Sequence, residues 1–191
     1  MQAGTELQGV RLKLAVFAWK TAAKCACMFT WLLMNIGLHK QWANRLLEPW
    51  QWMTAIVSST EWSNFFGLRI GPLAQPEMNE LAYKIHLAML NSRPALIKEG
   101  FWHLPYVHGR CGTYDDRKMS AARCARVSYL NHDKSEPTLK SDIELCNKLM
   151  QSRPIHASPF EHQATPVPGQ HGNFFGWKQQ RQFIEDQYET E

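Results

Sequence analysis

The chain has 191 residues, of which 45% are hydrophobic and 20% are charged, and its formal net charge is +4 at pH 7. This composition excludes a disordered chain and predicts one domain of ordinary size, or two small lobes. The mild positive charge, which includes no long run of like charges, fits anionic ligands such as nucleotides and argues against a protein that binds nucleic acid.

The N-terminal region holds an apolar stretch that two lysines, Lys20 and Lys24, interrupt. Because a membrane span needs roughly 20 consecutive apolar residues, we expect no transmembrane helix, and no cleavage signature indicates export. The five cysteines form no Cys-x-x-Cys pair, which favours reduced thiols in a cytoplasmic protein. No metal site is expected, since a fourth ligand is missing beside His103, His108 and Cys111.

Apolar spacing and capping residues predict a helix-rich first half. The predicted elements are a helix over 5–36 that ends at Gly37, a short helix through Leu47 that Pro49 stops, a strand over 52–59, a helix over 61–68 with Thr60 as its N-cap, and a helix from Pro76 to about Asn91. Residues 100–113 have no period and contain Gly and Pro, which indicates a loop.

The second half is also predicted to be mainly helical. Its elements are a helix over 121–127 capped by Ser120, an amphipathic helix over 138–151, a helix that begins at Ser158 with Pro159 in its first turn, a Pro- and Gly-rich loop over 164–173, and a last helix over 173–184. Glu161 can close a capping box with Ser158. Few strands are expected, so the predicted class is α+β.

Four segments carry side chains that are suited to chemistry: residues 40–49, 61–69 with 74–77, 121–129, and 156–162. In the second, Asn64 and Arg69 are expected near one another on a helix that is otherwise aromatic and aliphatic. Arginine offers a planar fork of donors, and asparagine both donates and accepts, so the pair suits a flat heterocycle. The alternative is a surface arginine that lies along an apolar stripe, which the residues alone favour.

The fourth segment places His156 just ahead of a predicted helix N-terminus. Free N–H groups at such an end favour an anion or an electron-rich ring. Glu161 and His162 can also transfer protons. The alternative is that Ser158 and Glu161 only cap the helix, although capping does not exclude a ligand.

Together, the four segments resemble the flavin-dependent thymidylate synthase family. The resemblance rests on Asn-Phe-Phe-x-Leu-Arg with Ala-Gln-x-Glu beyond it, on Ala-Arg-Val-Ser-Tyr, and on His-x-Ser-Pro-Phe-Glu-His, and it spans residues 38–181. The segment order is permuted, as in a phage-type branch that shares Asn-Arg-Leu-Leu-Glu-Pro, Trp-His-Leu-Pro and Gly-Asn-Phe-x-Gly-Trp. The resemblance implies one domain over 1–191, with a nucleotide- and flavin-binding half over 1–113 and a second half over 114–191.

The resemblance also implies an activity: a methylene group passes from methylenetetrahydrofolate to C5 of dUMP, reduced FAD supplies the hydride, NADPH restores it, and dTMP results. It assigns residues to roles as follows: dUMP binding to Arg45, Arg69 and Gln75, charge stabilisation on the uracil ring to Arg69, and flavin contacts to Asn64, His156, Ser158 and Glu161. No catalytic cysteine is needed, and the implied assembly is a homotetramer.

The chain departs from the family pattern at two places. The Arg-His-Arg-x-x-Ser-x-Asn-like signature, which binds FAD and the nucleotide phosphate, is not found in these 191 residues, and Leu73 stands where the family has a histidine. In the permuted branch a related segment would stand upstream of Met1. We therefore expect an incomplete fold, either a fragment or a chain that a separate polypeptide complements.

Two alternatives remain open. One is a non-catalytic subunit or truncated remnant that keeps the fold and the subunit contacts without the flavin chemistry. The other is a related enzyme that acts on dCMP instead of dUMP, or that adds a hydroxymethyl instead of a methyl group. Amides such as Asn64 and Gln75 can serve either base, so the sequence does not separate them.

Overall fold

The computed structural model describes residues 6–109 and 112–188, and within them the class is α+β, as predicted. The α-helices are α1 (Gly9–Asn35), α2 (Lys40–Ala43), α3 (Ser63–Arg69), α4 (Pro76–Leu90), α5 (Tyr114–Arg126), α6 (Leu139–Gln151) and α7 (Gln180–Tyr188). Two 3₁₀ helices are Asn44–Trp50 and Ser158–Glu161, and two antiparallel strands are β1 (Ala164–His171) and β2 (Phe174–Gln179). The chain divides into two compact units, one ending at Thr54 and one beginning at Ala55.

The long N-terminal helix is confirmed as α1, and so is its glycine end. Gly37 has a φ of 96°, in the left-handed region that glycine adopts without strain. Its N–H donates to the carbonyl of Met34 at 3.1 Å, while the N–H of Leu38 donates to the carbonyl of Leu33 at 2.9 Å. This pair of bonds is a Schellman motif, which satisfies the last carbonyls of the helix.

Most of the surface of α1 is apolar and exposed. The exposed large side chains of this helix are Val10, Leu12, Leu14, Val16, Phe17, Trp19, Met28, Phe29, Trp31, Leu32 and Met34. Inside the first unit, the hydroxyl of buried Thr30 donates to the carbonyl of Ala43 at 3.3 Å, and the rings of Trp19 and Trp50 lie 5.4 Å apart. Within the described residues, no helix combines the length and hydropathy of a membrane span.

The segment after α1 is helical, but the prediction that Pro49 stops it is wrong. α2 passes directly into the 3₁₀ helix Asn44–Trp50, which contains Pro49. Inside an α-helix, proline lacks the N–H that would donate to the carbonyl four residues earlier, and its ring clashes with that carbonyl. A 3₁₀ helix bonds over three residues, so the clash is avoided.

The core of the second unit forms where α5, α6, α7 and the 3₁₀ helix Ser158–Glu161 meet. Its buried members are Ala121, Ala122, Cys146, Phe160 and Ile184. Phe160 is completely buried, so this short 3₁₀ helix is anchored by an aromatic ring. Helix α6 coincides with the amphipathic helix predicted over 138–151, and α4 with the helix predicted from Pro76.

A buried carboxylate joins α5 to α6. The side chain of Asp142 is fully buried and accepts from Arg123 Nε at 3.1 Å and from the guanidinium of Arg126. Arg123 also donates from Nη1 to the carbonyl of Tyr106 at 2.9 Å. One acidic group therefore holds two helices together and, through Arg123, the loop that follows Phe101.

Helix α5 begins earlier than predicted. Thr113 caps it, with a reciprocal capping box to Asp116, whereas Ser120 lies within the helix and is fully buried. The hydroxyl of Ser120 donates to the carbonyl of Pro105 at 2.8 Å and accepts from Gln163 Nε2 at 3.1 Å. The prediction that Ser120 caps the helix is wrong. Its hydroxyl instead bonds Pro105 and Gln163, which are distant in the sequence.

The Pro- and Gly-rich stretch 164–173 was predicted as a loop followed by a helix, and this is wrong. It forms β1, which pairs with β2 from Ala164 opposite Gln179 to His171 opposite Phe174. The connection is the dipeptide Gly172-Asn173, and Gly172 has a φ of 60°. Two-residue turns of this kind favour hairpins, and the prolines of β1 coincide with an irregular register between Pro166 and Gln170.

The strand predicted over 52–59 is also wrong, since this stretch has no ladder partner. Thr60 does not cap α3, because the N-cap of that helix is Trp62. The hydroxyl of Thr60 instead accepts from the backbone N–H of Phe175 in β2 at 3.0 Å. The segment before α3 is thus fastened by a side chain to the hairpin and not by strand pairing.

The buried charge network leads to a prediction on stability. Replacing Asp142 with Ala leaves two guanidinium groups without their buried partner, and we expect the free energy of unfolding to fall by about 3–5 kcal/mol. Chemical denaturation followed by circular dichroism measures the change. Glu144→Ala on the same helix is the control, because its pair with Lys140 is exposed at 4.0 Å and is worth less than about 1 kcal/mol. Equal effects of the two substitutions would contradict the role of Asp142.

Candidate functional site

A pocket in the second unit brings together residues from distant parts of the chain. Its volume is about 590 Å³. Its lining comprises Val57, Ser58, Ser59, Thr60, Glu61, Trp62, Pro94, Ala95, Ile97, His103, His162, Ala164, Phe174, Phe175 and Trp177. A larger cavity of about 740 Å³ is lined only by residues 95–109, and none of the four segments contributes to it. The 590 Å³ pocket, called the histidine pocket below, is therefore the better candidate site.

One hydrogen bond crosses the pocket. The hydroxyl Oγ of Ser58 and Nδ1 of His162 lie 3.1 Å apart, although 104 positions separate them in the sequence. If the hydroxyl donates, Nδ1 is the acceptor and Nε2 carries the ring proton. In that tautomer Nδ1 of His162 is the ring nitrogen that can accept the hydroxyl proton of Ser58.

A second imidazole belongs to His103. The backbone N–H of His103 donates to the carbonyl of Ala164 at 2.8 Å, and the backbone N–H of Ala164 donates to the carbonyl of His103 at 3.3 Å. This isolated bridge holds His103 beside Ala164, the first residue of β1, and Ala164 lies two residues after His162 in the sequence. The two imidazoles therefore lie in one pocket because the loop and the hairpin exchange backbone bonds.

Both imidazoles favour the neutral form. Burial lowers the pKa of His103 from its ordinary value of 6.5. Burial also lowers the pKa of His162 from 6.5, and the charge that His103 would carry lowers it further, while the carboxylate of Glu161 opposes these effects. At neutral pH the pocket therefore presents uncharged rings that can accept a proton.

Aromatic rings form much of the wall. Trp62, at the N-cap of α3, stacks on Phe66 with centroids 5.8 Å apart, and Trp177 and Phe175 come from the hairpin. The bond from Phe175 N–H to Thr60 ties the hairpin to the segment that carries Ser58. Aromatic walls around a few polar groups are typical of pockets for flat ligands.

Three predicted residues surround the corner between α3 and α4. Asn64 and Arg69 are both exposed, and five residues on a helix separate them by about 140° around the axis, so they do not share a face. Gln75 is the N-cap of α4, and its side chain makes no capping bond. The ring of Phe66 against His86, at 4.8 Å, and the bond from Asn79 to the carbonyl of Gly71 hold the corner in place.

The fourth segment is ordered in a different way from the predicted capped helix. Ser158–Glu161 is a four-residue 3₁₀ helix, and its N-cap Ala157 offers no side-chain bond, so Ser158 does not cap it. His156 and Ser158 are exposed. The carboxylate of Glu161 pairs with Arg181, whose Nε bonds Glu185 at 2.6 Å. Glu161 thus holds α7 and does not close a capping box.

Arg45 belongs to the first unit. It is exposed, its guanidinium lies 4.0 Å from the carboxylate of Glu48, and it stands 5.3 Å above the ring of Trp42. An exposed pair at this distance is weak, so the guanidinium remains available to an anion.

The buried cysteines are not poised as nucleophiles. Burial raises the pKa of Cys124 and of Cys146 to about 12, so both thiols stay protonated at neutral pH. Cys111 lies outside the described residues.

Comparisons with protein-family models, with curated proteins and with solved structures find no match to this chain. The resemblance to the flavin-dependent thymidylate synthases therefore rests on the residues of the motifs themselves. None of the seven predicted site residues lines the histidine pocket. His162, from the motif of His156, does line it, as do Trp62, two residues before Asn64, and His103 and Trp177, from two motifs without a predicted site residue.

Sequence reasoning gave His162 a role in proton transfer and weighed His103 only as a metal ligand, and it missed Ser58 altogether. One signal was available: the dipeptide Gly172-Asn173, followed by the aromatic run Phe174-Phe175, is typical of a two-residue hairpin turn. A hairpin there would have placed Trp177 and Phe175 on a strand beside the residues that follow His162.

Proposed function

We propose that this chain is part of an FAD-dependent thymidylate synthase, which converts dUMP to dTMP with methylenetetrahydrofolate and NADPH. The observation that supports the proposal is that three motifs of the resemblance meet at one pocket. His103, His162 and Trp177 come from three separate motifs and line the histidine pocket, together with Trp62, which lies two residues before the motif of Asn64. A pocket with indole walls and neutral imidazoles suits an uncharged planar ring.

The residues present fit the ring of FAD better than its pyrophosphate. The aromatic lining suits a flavin ring, but a pyrophosphate needs convergent Arg forks or helix N-termini. Glu161 is already paired with Arg181, and the segment of His156 and Ser158 brings no cationic group with it. The chain by itself therefore lacks part of the expected flavin contact set.

Under the proposal, the α3–α4 corner serves the nucleotide. Arg69 at the end of α3 binds dUMP and stabilises charge on its ring, and Gln75 at the start of α4 contributes to binding of the same nucleotide. Arg45, in the first unit, is a further dUMP-binding residue that the resemblance implies. Asn64, His156, Ser158 and Glu161 contact the flavin. The exposed positions of Arg69 and Gln75 support a role in binding, since neither side chain is engaged in packing.

The role of Arg69 predicts a loss of dUMP affinity in Arg69→Ala. A bond from a guanidinium to a charged or polarised ring is worth about 1.5–3 kcal/mol, which corresponds to roughly a 10- to 150-fold weaker Kd. Isothermal titration with dUMP measures it. Arg69→Lys keeps the charge without the planar fork and is expected to recover only part of the affinity.

The matched control is Arg93→Ala, which removes an exposed guanidinium from the same unit outside the four segments. It should leave dUMP affinity unchanged. If Arg69→Ala binds dUMP as tightly as the wild-type chain, the role of Arg69 is refuted. If the wild-type chain binds no dUMP, the chain alone does not form a nucleotide site.

The second candidate function is a non-catalytic subunit or remnant, and the absence of the Arg-His-Arg-like signature from these 191 residues favours it. We predict that residues 1–191 alone bind FAD weakly or not at all. Losing two charge-assisted bonds removes roughly 3–6 kcal/mol, which turns a micromolar site into a millimolar one or worse. The purified chain is inspected for yellow flavin absorbance and titrated with FAD by fluorescence.

A bright yellow chain that makes dTMP unaided would overturn this prediction and establish the enzyme. Co-purification with an intact partner, with activity only in the pair, would support the subunit. Product analysis with dUMP and dCMP separates thymidylate synthesis from the related hydroxymethylating activity.

A homo-oligomer is the proposed assembly, and the surface of α1 supports it. Phe17 is 70% exposed and Trp31 is 67% exposed, on a helix where most large apolar side chains face solvent. Exposed apolar surface of this extent is typical of association sites. The tetramer implied by the resemblance is the specific form proposed.

This assembly predicts that the double variant Phe17→Lys/Trp31→Lys dissociates, because it places two charges in the contact. Sedimentation velocity at micromolar concentration should show an oligomer for the wild-type chain and a monomer for the variant. Leu96→Lys is the control, since Leu96 is 90% exposed in the other unit. A monomeric wild-type chain would contradict the proposal.

A further inference from the structure

We infer that Ser58 and His162 form a nucleophile–base pair that cleaves small aromatic carboxylic esters in the histidine pocket. This activity goes beyond the proposed thymidylate synthase and uses none of the seven residues assigned to it, although it lies in the pocket that the proposed flavin ring would occupy. The geometry rests on the Oγ–Nδ1 distance of 3.1 Å between a hydroxyl and an imidazole that both line the pocket.

The imidazole is in the state that a general base requires. Activating a serine hydroxyl needs a neutral imidazole within hydrogen-bond reach, and His162 meets both conditions. Burial disfavours its charged form, and the neighbouring His103 adds to this effect. The base is also held in place, because the next residue, Gln163, is fully buried and donates to Ser120 at 3.1 Å.

The walls indicate the class of substrate. Trp62, Phe174, Phe175 and Trp177 line the pocket, and its volume of about 590 Å³ accommodates a benzene-sized ring with a short acyl chain. Glu61 is also a lining residue, and its negative charge disfavours anionic substrates. An uncharged aryl ester is therefore preferred over a charged one.

The reaction balances without a cofactor. Oγ of Ser58 attacks the ester carbonyl and forms an O–C bond, while its proton moves to Nδ1 of His162. The tetrahedral intermediate collapses, the bond to the leaving alcohol breaks, and that alcohol takes the proton from His162. Water then gives a proton to His162 and attacks the acyl carbon; the bond from that carbon to Oγ breaks, Oγ of Ser58 takes the proton back from His162, and the carboxylic acid leaves. No group is oxidised or reduced.

Covalent labelling of the wild-type chain tests the nucleophile directly. Phenylmethanesulfonyl fluoride is added to the folded protein, and peptide mass spectrometry locates the adduct. A single adduct on Ser58 that disappears in His162→Gln supports the inference. Absence of an adduct on Ser58, or equal labelling of many serines, overturns it. This measurement does not depend on whether a Ser58 variant folds.

Turnover of p-nitrophenyl acetate provides the second test. Ser58→Ala and His162→Gln should each lose at least about 100-fold in kcat/KM, as expected when a general base or its nucleophile is removed. Ser92→Ala should retain the wild-type rate, because its hydroxyl bonds only the carbonyl of Met89. Wild-type turnover no faster than that of Ser58→Ala would refute the activity.

The pH profile distinguishes a base from a structural partner. Since the folded pKa of His162 lies below 6.5, kcat/KM should be constant at neutral pH and fall with acidification only below pH 6.5. A rate that rises steadily through pH 6–9 would indicate hydroxide catalysis and overturn the inference. Formation of dTMP with no ester cleavage would leave the thymidylate synthase proposal intact, and the reverse outcome would leave only the esterase.

Discussion

The second unit depends on the polar side of α5, where buried serine and arginine side chains take the place of water. Ser120 bonds the carbonyl of Pro105 at 2.8 Å, and Arg123 bonds the carbonyl of Tyr106 at 2.9 Å. Both carbonyls belong to the loop that carries His103. Ser120 also accepts from Gln163, the neighbour of His162. One face of one helix therefore sets the positions of both imidazoles.

This arrangement connects the pocket to the ion pair between Arg123 and the buried Asp142. Arg123, which is 20% exposed, bonds both the loop and the fully buried carboxylate of Asp142, and a buried carboxylate without its partners is strongly unfavourable. Asp142 on α6 thus holds the guanidinium of Arg123, which in turn donates to the backbone carbonyl of Tyr106 in the loop. Damage to the ion pair is expected to reach the pocket through the loop before it reaches the aromatic walls.

The helices with strong periodic patterns could be predicted from the sequence, because their signals are local. α1, α4 and α6 follow from apolar spacing, Gly37 and Pro76. The errors share a different cause. The stretch 52–59 has the composition of a strand but has no partner, and 164–171 has the composition of a loop but pairs with β2. The presence or absence of a pairing partner, and not the composition of the segment, decides both cases.

The candidate site shows the same limit at the level of single side chains. The motif residues singled out from the sequence, such as Arg69 and His156, are exposed, whereas the pocket is lined by their less conspicuous neighbours. A sequence shows which residue types are unusual, but predicting the lining of a pocket also requires knowing which segments of the chain meet in space. The Ser58–His162 bond spans 104 positions and leaves no local trace.

Exposure of the cationic residues bears on how a nucleotide would be held. Arg45 and Arg69 face solvent in the free chain, where water and salt hold an ion pair to less than about 1 kcal/mol, so the larger contribution expected from Arg69 toward dUMP requires water to be excluded from the bound pair. Tight binding of a phosphate would require these groups to be covered and partly dehydrated. An exposed apolar helix such as α1, brought over them by a second copy or a partner, would provide such a cover. Nucleotide affinity and association of the chain should therefore rise and fall together, since the same contact would exclude water from the charges.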